Sequence, residues 1–292
     1  MALTPDTTTI GFVGIGVMGK SMAGHLLKAG YPVHVYNRTQ AKAEDLIAAG
    51  AQWQDSPSAL AQRCNCIITI VGFPRDVEDI YLGAAGIINQ AHAGSVLIDM
   101  TTSKPSLART IFTEAKKKGL AALDAPVSGG DLGAREARLS IMVGGEPSDF
   151  EAALPVFQVM GKNVVLQGPA GSGQHTKMAN QIAIAANMMG VCEALAYAKK
   201  AGLDQETVLK SISGGAAGSW SLTNLAPRII AGNYDPGFYV KHFIKDMGIA
   251  LESAAEMKLE TPSLSLAKSL YERLAAQGGN DLGTQGLYKL FS

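Results

Sequence analysis

The sequence predicts an α/β fold in two parts. Residues 1–167 are expected to form a Rossmann-type, doubly wound sheet, and residues 168–292 an all-α domain that opens with a long interdomain helix. Short β-branched runs alternate with amphipathic stretches in the first part, and a glycine-rich turn follows the first run. The length of 292 residues also exceeds the common domain size of about 100–200 residues.

The first part repeats strand, helix and strand, which favours parallel pairing through right-handed crossovers. Helices are predicted over residues 17–29 and 40–49. The predicted strands lie in the runs TTIGFVG, PVHVY, CIITIVG, SVLIDM, LAALDAP, LSIMVGG and NVVLQG.

The second part begins after the turn GPAGSG. A pattern rich in Ala, Met, Asn and Leu predicts a helix from His175 to about Lys200, long enough to bridge two domains. From Leu203 onward, helical periodicity is broken by the turns SGGAAGS and NYDPGF, which indicates several shorter helices.

The composition narrows the classes of partner. Lys plus Arg and Asp plus Glu both number 25, so no net field attracts nucleic acid or an anionic membrane surface. The start lacks a signal-peptide pattern, and no apolar stretch reaches the ~18 residues of a membrane span, so we expect a cytoplasmic protein. The three cysteines are expected to be reduced and buried, and the five scattered histidines predict no metal site.

A dinucleotide fingerprint follows the first predicted strand. Gly14, Ile15, Gly16, Val17, Met18 and Gly19 form G-x-G-x-x-G at the opening of a helix. The first glycine permits the tight turn, the second lets the backbone approach a pyrophosphate, and the third lets helix and strand pack closely. A glycine-rich turn without a ligand is the alternative, but the strand and helix context favours a dinucleotide.

The cofactor is predicted to be NADP. The second strand ends at Asn37, Arg38 and Thr39, where an NAD enzyme usually offers a carboxylate to the ribose 2′-hydroxyl. Here a guanidinium, whose geometry suits a 2′-phosphate, takes that place. A solvated arginine beside a site that accepts NAD as well is the alternative.

Three further segments carry candidate chemistry. Ser128, Gly129 and Gly130 follow a strand and offer a hydroxyl and exposed amides to a carboxylate, although an ordinary turn explains the same residues. Lys177, Asn180 and Gln181 share one face near the start of the long helix, although a lone helical lysine is usually solvated. Lys245 is a second ammonium that could lower the pKa of Lys177.

Together these segments resemble the β-hydroxyacid dehydrogenase family, which includes 3-hydroxyisobutyrate dehydrogenase, tartronate semialdehyde reductase and glyoxylate/succinic semialdehyde reductases. The resemblance covers nearly the whole chain through five motifs in order: GFVGIGVMG, DMTTSKP, DAPVSGG, GQHTKMANQ and KHFIKDM. The loop after CIITIVG departs from the family pattern, with Val71 and Gly72 before Phe73 and Pro74.

The resemblance implies roles for particular residues. Lys177 matches the catalytic acid/base, and Asn180 matches a residue that holds substrate. Ser128, Gly129 and Gly130 match the substrate-carboxylate loop. Thr102 matches a contact to nicotinamide and substrate, and Lys245 matches a lysine at the cofactor edge. Val71 and Gly72 fall in the cofactor loop, and the helical domain of the family packs against another subunit, which implies a homodimer or homotetramer.

The predicted function is hydride transfer between NADP and a small 3-hydroxy acid or its semialdehyde. Lys177 would donate a proton to the carbonyl oxygen in reduction and remove one from the hydroxyl in oxidation. The stretch Ser213–Ser219 resembles the Gly-Gly-x-Ala-Gly-Ser stretch of tartronate semialdehyde reductases, and its small residues would leave room for a polar two- or three-carbon semialdehyde. A flexible turn is the alternative, and Trp220, just beyond, could narrow the pocket. Tartronate semialdehyde, glyoxylate, succinic semialdehyde and methylmalonate semialdehyde all stay open. The alternatives are an imine reductase, which characteristically lacks the lysine, and a non-catalytic NADP(H) sensor or scaffold.

Overall fold

A computed structural model describes residues 2–291. The chain divides into two compact units, Met1–Lys177 and Met178–Ser292. The first unit is α/β and the second is helical, which confirms the predicted fold class. The predicted domain boundary between residues 167 and 168 remains a prediction.

The first unit is built on a nine-stranded sheet. Its strands are β1 (Ile10–Val13), β2 (Val33–Tyr36), β3 (Gln52–Trp53), β4 (Cys66–Thr69), β5 (Val96–Asp99), β6 (Ala121–Asp124), β7 (Val127–Ser128), β8 (Leu139–Gly144) and β9 (Gly161–Gly168). The order is β3-β2-β1-β4-β5-β6-β8-β7, and β9 pairs with β8. Because β1 pairs with both β2 and β4, the strand order reverses at β1, which is where open α/β sheets bind their ligands.

Strands β1 to β6 are parallel, and β8 runs antiparallel to β6 and β7. The antiparallel pairing of β7 with β8 was not predicted. It arises because residues 129–138 form too short a connection for a parallel crossover, which needs a dozen or more residues. The short strands β3 and β7 were also missed, since two-residue strands leave no alternation in the sequence.

Helices cover the sheet. They span Gly19–Lys28, Glu44–Ala48, Pro57–Ala61, Pro74–Leu82, Ile87–Gln90, Pro105–Lys117, Gly130–Arg135 and Pro147–Met160, and a 3₁₀ turn spans Gln40–Ala43. The predicted helix over 40–49 is therefore a 3₁₀ turn followed by a short α-helix. The central strands are buried on both faces, so apolar residues from β1, β4 and β5 form cores on either side of the sheet.

The longest helix, α9 (Ser172–Lys200), begins slightly before the predicted start. Among the described residues it alone is long and apolar enough, by length and composition, to cross a membrane, which the sequence prediction did not anticipate. The core helix of a globular protein satisfies the same test. Several α9 side chains, including Met188, Cys192 and Leu195, belong to the buried core of the helical unit, so we interpret it as a core helix.

The helical unit continues with shorter helices around that core. They span Gln205–Ile212, Trp220–Asn224, Ala226–Ile230, Val240–Glu256 and Pro262–Ala276, and 3₁₀ turns span Gly279–Asp281 and Thr284–Leu290. Phe243 and Tyr271 are almost fully buried and meet edge to face, with ring centroids 5.0 Å apart. The predicted turns SGGAAGS and NYDPGF fall between helices.

Candidate active site

The glycine-rich turn has the geometry that a dinucleotide requires. Gly14 adopts a φ of +103°, and a Cβ there would lie 2.1 Å from the Ile70 carbonyl oxygen. A Cβ on Gly19 would lie 1.9 Å from the carbonyl oxygen of Gly14, so helix and turn pack too closely for any side chain. Gly16 faces open space, with no atom within 4 Å of a Cβ. Gly14 and Gly19 therefore allow the tight packing of the turn, and Gly16 leaves open the space in front of it.

Two of the remaining fingerprint residues differ in exposure. The Val17 side chain is 46% exposed. Met18 is partly buried against the sheet core, so it fixes the start of the first helix. The backbone N–H of Ile15 donates to the Asn37 side-chain oxygen over 3.0 Å, and the Asn37 amide nitrogen donates to the Thr39 carbonyl over 2.9 Å. Asn37 thus ties the fingerprint turn to the end of β2.

Arg38 extends from this same corner, and its side chain is 80% exposed. Its Nη1 atom lies 3.5 Å from Oδ1 of Asp76, whose Oδ2 accepts a hydrogen bond from the Phe73 amide. Asp76 was not singled out from the sequence, because it lies 38 positions away in the chain. The guanidinium predicted to read a 2′-phosphate therefore has a carboxylate beside it.

A hydrogen bond connects the loop after β4 to the loop after β5. The Val71 amide, which precedes Gly72 in the predicted cofactor loop, donates to the Thr101 hydroxyl oxygen over 3.0 Å. The Thr101 amide in turn donates to Oδ1 of Asp99 over 3.0 Å. Thr102, the predicted nicotinamide contact, is the next residue and is partly exposed. The predicted cofactor and substrate loops are thus fixed to each other through Thr101.

Asp99 is a buried carboxylate at the end of β5. Its Oδ1 accepts the Thr69 hydroxyl over 2.9 Å, and because that hydroxyl has one proton, the Tyr81 hydroxyl donates to Thr69. Burial raises the pKa of Asp99 to about 6, although the hydrogen bonds from Thr101 and Thr69 oppose the rise. Asp99 was not predicted to anchor these loops, because only the threonine of the motif DMTTS was singled out.

Lys177 lies near the start of α9 and is buried, with 7% of its surface exposed. Its Nζ donates to the Val127 carbonyl over 2.8 Å. Val127 immediately precedes Ser128, so the ammonium lies at the strand that leads into the predicted carboxylate loop. A solvated surface lysine, the alternative weighed from the sequence, does not describe this side chain.

The carboxylate loop itself uses left-handed backbone. Gly129 and Gly130 have φ values of +128° and +63°, which disfavour any residue with a side chain. Ser128, at the end of β7, is partly exposed. The loop directly follows Val127, whose carbonyl accepts the Lys177 hydrogen bond, and its role in holding a carboxylate stays a prediction.

The helical unit contains a separate polar chain. The Asn180 side-chain nitrogen donates to Gln181 over 2.8 Å, and Gln181 in turn donates to Oδ2 of Asp246. The Nζ of Lys245 lies 2.8 Å from Oδ1 of the same carboxylate. This ion pair offsets part of the charge of Lys245, and the effect of Lys245 on Lys177 stays a prediction. Gln181 is completely buried and links Asn180 to Asp246.

The turn Ser213–Ser219 leads into the helix that begins at Trp220, and the Ser219 hydroxyl caps that helix by accepting from the Leu222 amide. Trp220 itself is 55% exposed. Gly218 packs against the turn, since a Cβ there would lie 2.7 Å from the Ser213 carbonyl oxygen. The predicted role of this stretch in substrate choice stays a prediction.

The cysteines are free and buried. Burial raises the pKa of the Cys64 thiol to about 12, and those of Cys66 and Cys192 also rise. They are therefore unreactive thiols at neutral pH. Among residues 2–291, no group of three His, Cys, Asp or Glu side chains could hold a metal ion.

Comparison with known proteins agrees with this architecture. Residues 9–168 match the NAD-binding domain of 6-phosphogluconate dehydrogenase, and residues 171–291 match the NAD-binding domain of NADP-dependent 3-hydroxyisobutyrate dehydrogenase.

Individual proteins match along the whole length. An uncharacterized oxidoreductase of Bacillus subtilis, YkwC, is 64% identical over 97% of this chain and 98% of its own. The 2-hydroxy-3-oxopropionate reductase of Escherichia coli is 36% identical over 95% of both chains. The structure of 3-hydroxyisobutyrate dehydrogenase from Mycobacterium tuberculosis with L-serine is 29% identical, with a TM-score of 0.88 over 97% of this chain and 98% of that one.

Together with the fold and the glycine-rich turn, the relatives show a nicotinamide-dinucleotide-dependent oxidoreductase acting on CH–OH donors. The matches across both parts place the chain in the β-hydroxyacid dehydrogenase family.

The different surroundings of Gly19 and Gly16 predict different effects of replacing each of them with alanine. Gly19→Ala forces backbone movement and should cost about 1–3 kcal/mol of stability, as overpacking does. Gly16→Ala should leave stability within about 0.5 kcal/mol, the range for substitutions that meet no neighbour. It should nevertheless weaken dinucleotide binding by about tenfold, or about 1.4 kcal/mol, because the new methyl occupies the path of the pyrophosphate. Urea unfolding and NADPH fluorescence titration measure the two effects. Equal affinity in Gly16→Ala and the wild type would contradict this assignment.

Asp99 predicts a pH dependence of stability. Its folded-state pKa of about 6 lies above the value of about 3.9 for an unfolded aspartate, so the stabilising contribution is complete below about pH 4 and is lost as the pH rises through about 6. Asp99→Asn keeps the acceptor oxygen and does not titrate. The variant should therefore gain stability over the wild type between pH 4 and pH 8, by at most about 3 kcal/mol.

The control is Asp6→Asn, at an exposed carboxylate. Urea unfolding at several pH values measures both variants against the wild type. A difference between Asp99→Asn and the wild type that stays constant with pH would show that the charged carboxylate carries no burial penalty.

Proposed function

We propose that the protein is an NADP-dependent reductase of a small semialdehyde, or dehydrogenase of the corresponding 3-hydroxy acid, with Lys177 as the general acid/base. The observation that carries the proposal is the buried ammonium of Lys177, 2.8 Å from the Val127 carbonyl at the entrance to the Ser128 loop. An ammonium held beside a carboxylate-binding loop is placed to exchange a proton with a substrate oxygen.

The mechanism assigns binding to one loop and proton transfer to one side chain. The hydroxyl of Ser128 and the amides of Gly129 and Gly130 would hold the substrate carboxylate, and Thr102 would contact its reacting end. For Asn180 we propose a role in substrate binding. The dinucleotide supplies the hydride when it is bound. Lys177 donates its proton to the carbonyl oxygen in reduction, and the neutral amine takes the hydroxyl proton in oxidation.

The dinucleotide is held by backbone and by a few side chains. The turn from Gly14 to Gly19 receives the diphosphate at the start of the first helix. Asn37, Arg38 and Thr39 lie at the ribose, and Val71 and Gly72 border the cofactor in the next loop. For Lys245, which is paired with Asp246, we propose a role in cofactor binding.

The substrate class follows from relatives. The E. coli relative is a 2-hydroxy-3-oxopropionate reductase, and the M. tuberculosis structure carries L-serine. Both compounds are three-carbon acids with a carboxylate and an oxygen at the third carbon. Tartronate semialdehyde is therefore our first candidate, ahead of glyoxylate, succinic semialdehyde and methylmalonate semialdehyde.

Location and assembly complete the proposal. Three free buried thiols fit a reducing compartment, so we place the protein in the cytoplasm. Large apolar side chains stay exposed on the helical unit, among them Tyr197 at 75% and Met257 at 59%. Such surfaces favour association, and we propose a homodimer or homotetramer.

The buried lysine disfavours the imine reductase alternative, and turnover would eliminate the sensor alternative.

Lys177→Ala tests the central assignment. Removing the general acid/base should lower kcat by about 10²–10⁴-fold, while NADPH binding measured by fluorescence persists. NADPH oxidation is followed against the four candidate semialdehydes. Lys200→Ala, an exposed lysine at the far end of the same helix, is the matched control and should behave as the wild type. Near-wild-type turnover in Lys177→Ala would overturn the mechanism. NADPH binding by the wild type with no turnover of any candidate favours the sensor.

Arg38 and Asp76 together test the cofactor preference. Arg38→Asp should lower the ratio of kcat/KM for NADPH to that for NADH by about tenfold or more, because the bidentate partner of the phosphate is lost. Asp76→Asn should raise the same ratio, because the competing carboxylate is neutralised. Arg63→Asp, an exposed arginine elsewhere on the unit, controls for the change in charge. A ratio unmoved by Arg38→Asp would mean that the guanidinium does not read the phosphate.

A further inference from the structure

We propose that Gln174 and Asp124 are positioning residues that fix the catalytic turn of α9 against the loop carrying Thr102. The proposal rests on the proposed function of Lys177. Neither residue was assigned a role from the sequence, and each acts through buried hydrogen bonds made within the first unit.

Asp124, at the end of β6, holds the start of α9. Its Oδ1 accepts the Gly171 amide over 2.7 Å, and its Oδ2 accepts the Gln174 amide over 2.8 Å. The side chain is almost fully buried. A carboxylate at the N-terminus of a helix satisfies free amides and interacts favourably with the helix dipole. The first turn of α9 is therefore attached directly to the sheet.

The approach of α9 to Asp124 depends on two glycines. A Cβ on Gly173 would lie 2.4 Å from the Met142 carbonyl oxygen and 2.6 Å from that of Asp124. A Cβ on Gly144 would lie 2.5 Å from Oδ1 of Asp124 and 2.8 Å from the Gly173 amide nitrogen. Any side chain at either position would push the helix away from the carboxylate, so the contact is built into the backbone.

Gln174 connects this turn to the loop after β5. Its side chain is fully buried. The amide nitrogen donates to the Thr101 carbonyl over 2.7 Å, and the amide oxygen accepts the Ser103 backbone N–H over 2.9 Å. The two bonds hold the residues on either side of Thr102, so one side chain fixes the backbone of the predicted nicotinamide contact.

Lys177 lies three residues after Gln174, on the same face of the helix. Its Nζ donates to the Val127 carbonyl. The start of α9 is therefore bonded to Asp124 and, through Lys177, to the residue just before the Ser128 loop. The acid/base, the Thr102 loop and the entrance to the Ser128 loop thus share one hydrogen-bonded frame. Displacing reacting groups by about 1 Å can cost about 10²-fold in rate, so loosening the frame should act on turnover.

Two variants separate positioning from simple stability. Gln174→Met fills the same space but makes neither hydrogen bond. Gln174→Glu keeps the acceptor for Ser103 and regains the donor to Thr101 only when its carboxyl is protonated, which burial favours. The charged and titratable groups around this position are Asp124, Lys177, and the neighbouring pair of Arg109 and His175. Asp99 is connected to it indirectly, by its hydrogen bond from the Thr101 amide. Gln62→Glu, at an exposed glutamine of the same unit, is the matched control.

The measurements are kcat, KM and the primary isotope effect with NADPH deuterated at the transferred position. The carbonyl compound is the one of the four candidates turned over fastest. Gln174→Met should lower kcat by about 10–100-fold with a smaller change in KM, and the isotope effect should rise because hydride transfer becomes rate-limiting. Gln174→Glu should recover kcat as the pH falls from 8 to 6, a limb absent from the wild type and from Gln62→Glu.

A readout that needs no turnover is amide hydrogen exchange, which should be faster over residues 101–104 in Gln174→Met than in the wild type at pH 8, because the Ser103 N–H loses its acceptor. Unchanged exchange would show that the frame does not hold this loop. Wild-type kcat and isotope effect in both variants would overturn the positioning role and leave only a structural one. Retained turnover in Lys177→Ala would instead refute the proposed acid/base, and the Gln174 comparison with the wild type would still be decided by exchange.

Discussion

The attachment of α9 to the sheet by a buried carboxylate is the constraint on which the candidate site depends. Asp124 accepts two backbone amides at the start of the helix, and glycines at 144 and 173 allow the close approach. Because a helix is rigid over a single turn, fixing its start also fixes the point from which the Lys177 side chain projects. The buried ammonium then needs only one further contact, to the Val127 carbonyl, to be oriented.

Two carboxylates are buried at the carboxyl end of the sheet, and burying each charge costs free energy. Asp99 and Asp124 are paired in register on neighbouring strands, and burial raises the pKa of each. Backbone amides oppose the rise at both positions, with Thr101 bonding Asp99 and with Gly171 and Gln174 bonding Asp124. An unpaired buried charge would cost far more than these hydrogen-bonded ones. The two acids thus organise loops at the carboxyl edge of the sheet, where function in α/β folds is concentrated.

Sequence patterns predicted the parts of the molecule that depend on local periodicity or on local turn chemistry. The long strands, the long helix and the glycine fingerprint were predicted because alternation, helical spacing and glycine placement are visible within a few residues. The 3₁₀ turn at Gln40–Ala43 and the antiparallel β8 were not predicted, because the first differs from an α-helix only in its hydrogen bonding and the second depends on the length of a connection.

Contacts between particular side chains could not be predicted from the sequence, whether the partners are adjacent or distant in the chain. Arg38 was recognised but not its partner Asp76, and Lys245 was recognised but not the ion pair that offsets its charge, although Asp246 is the next residue. Gln174 lay inside a quoted motif, yet a glutamine in a helix usually faces water. Its completely buried amide, with both ends bonded to residues about 70 positions earlier, is the kind of interaction that only three-dimensional packing reveals. In this candidate site the residues proposed to carry the chemistry were predictable by type, whereas the residues that hold them in place were not.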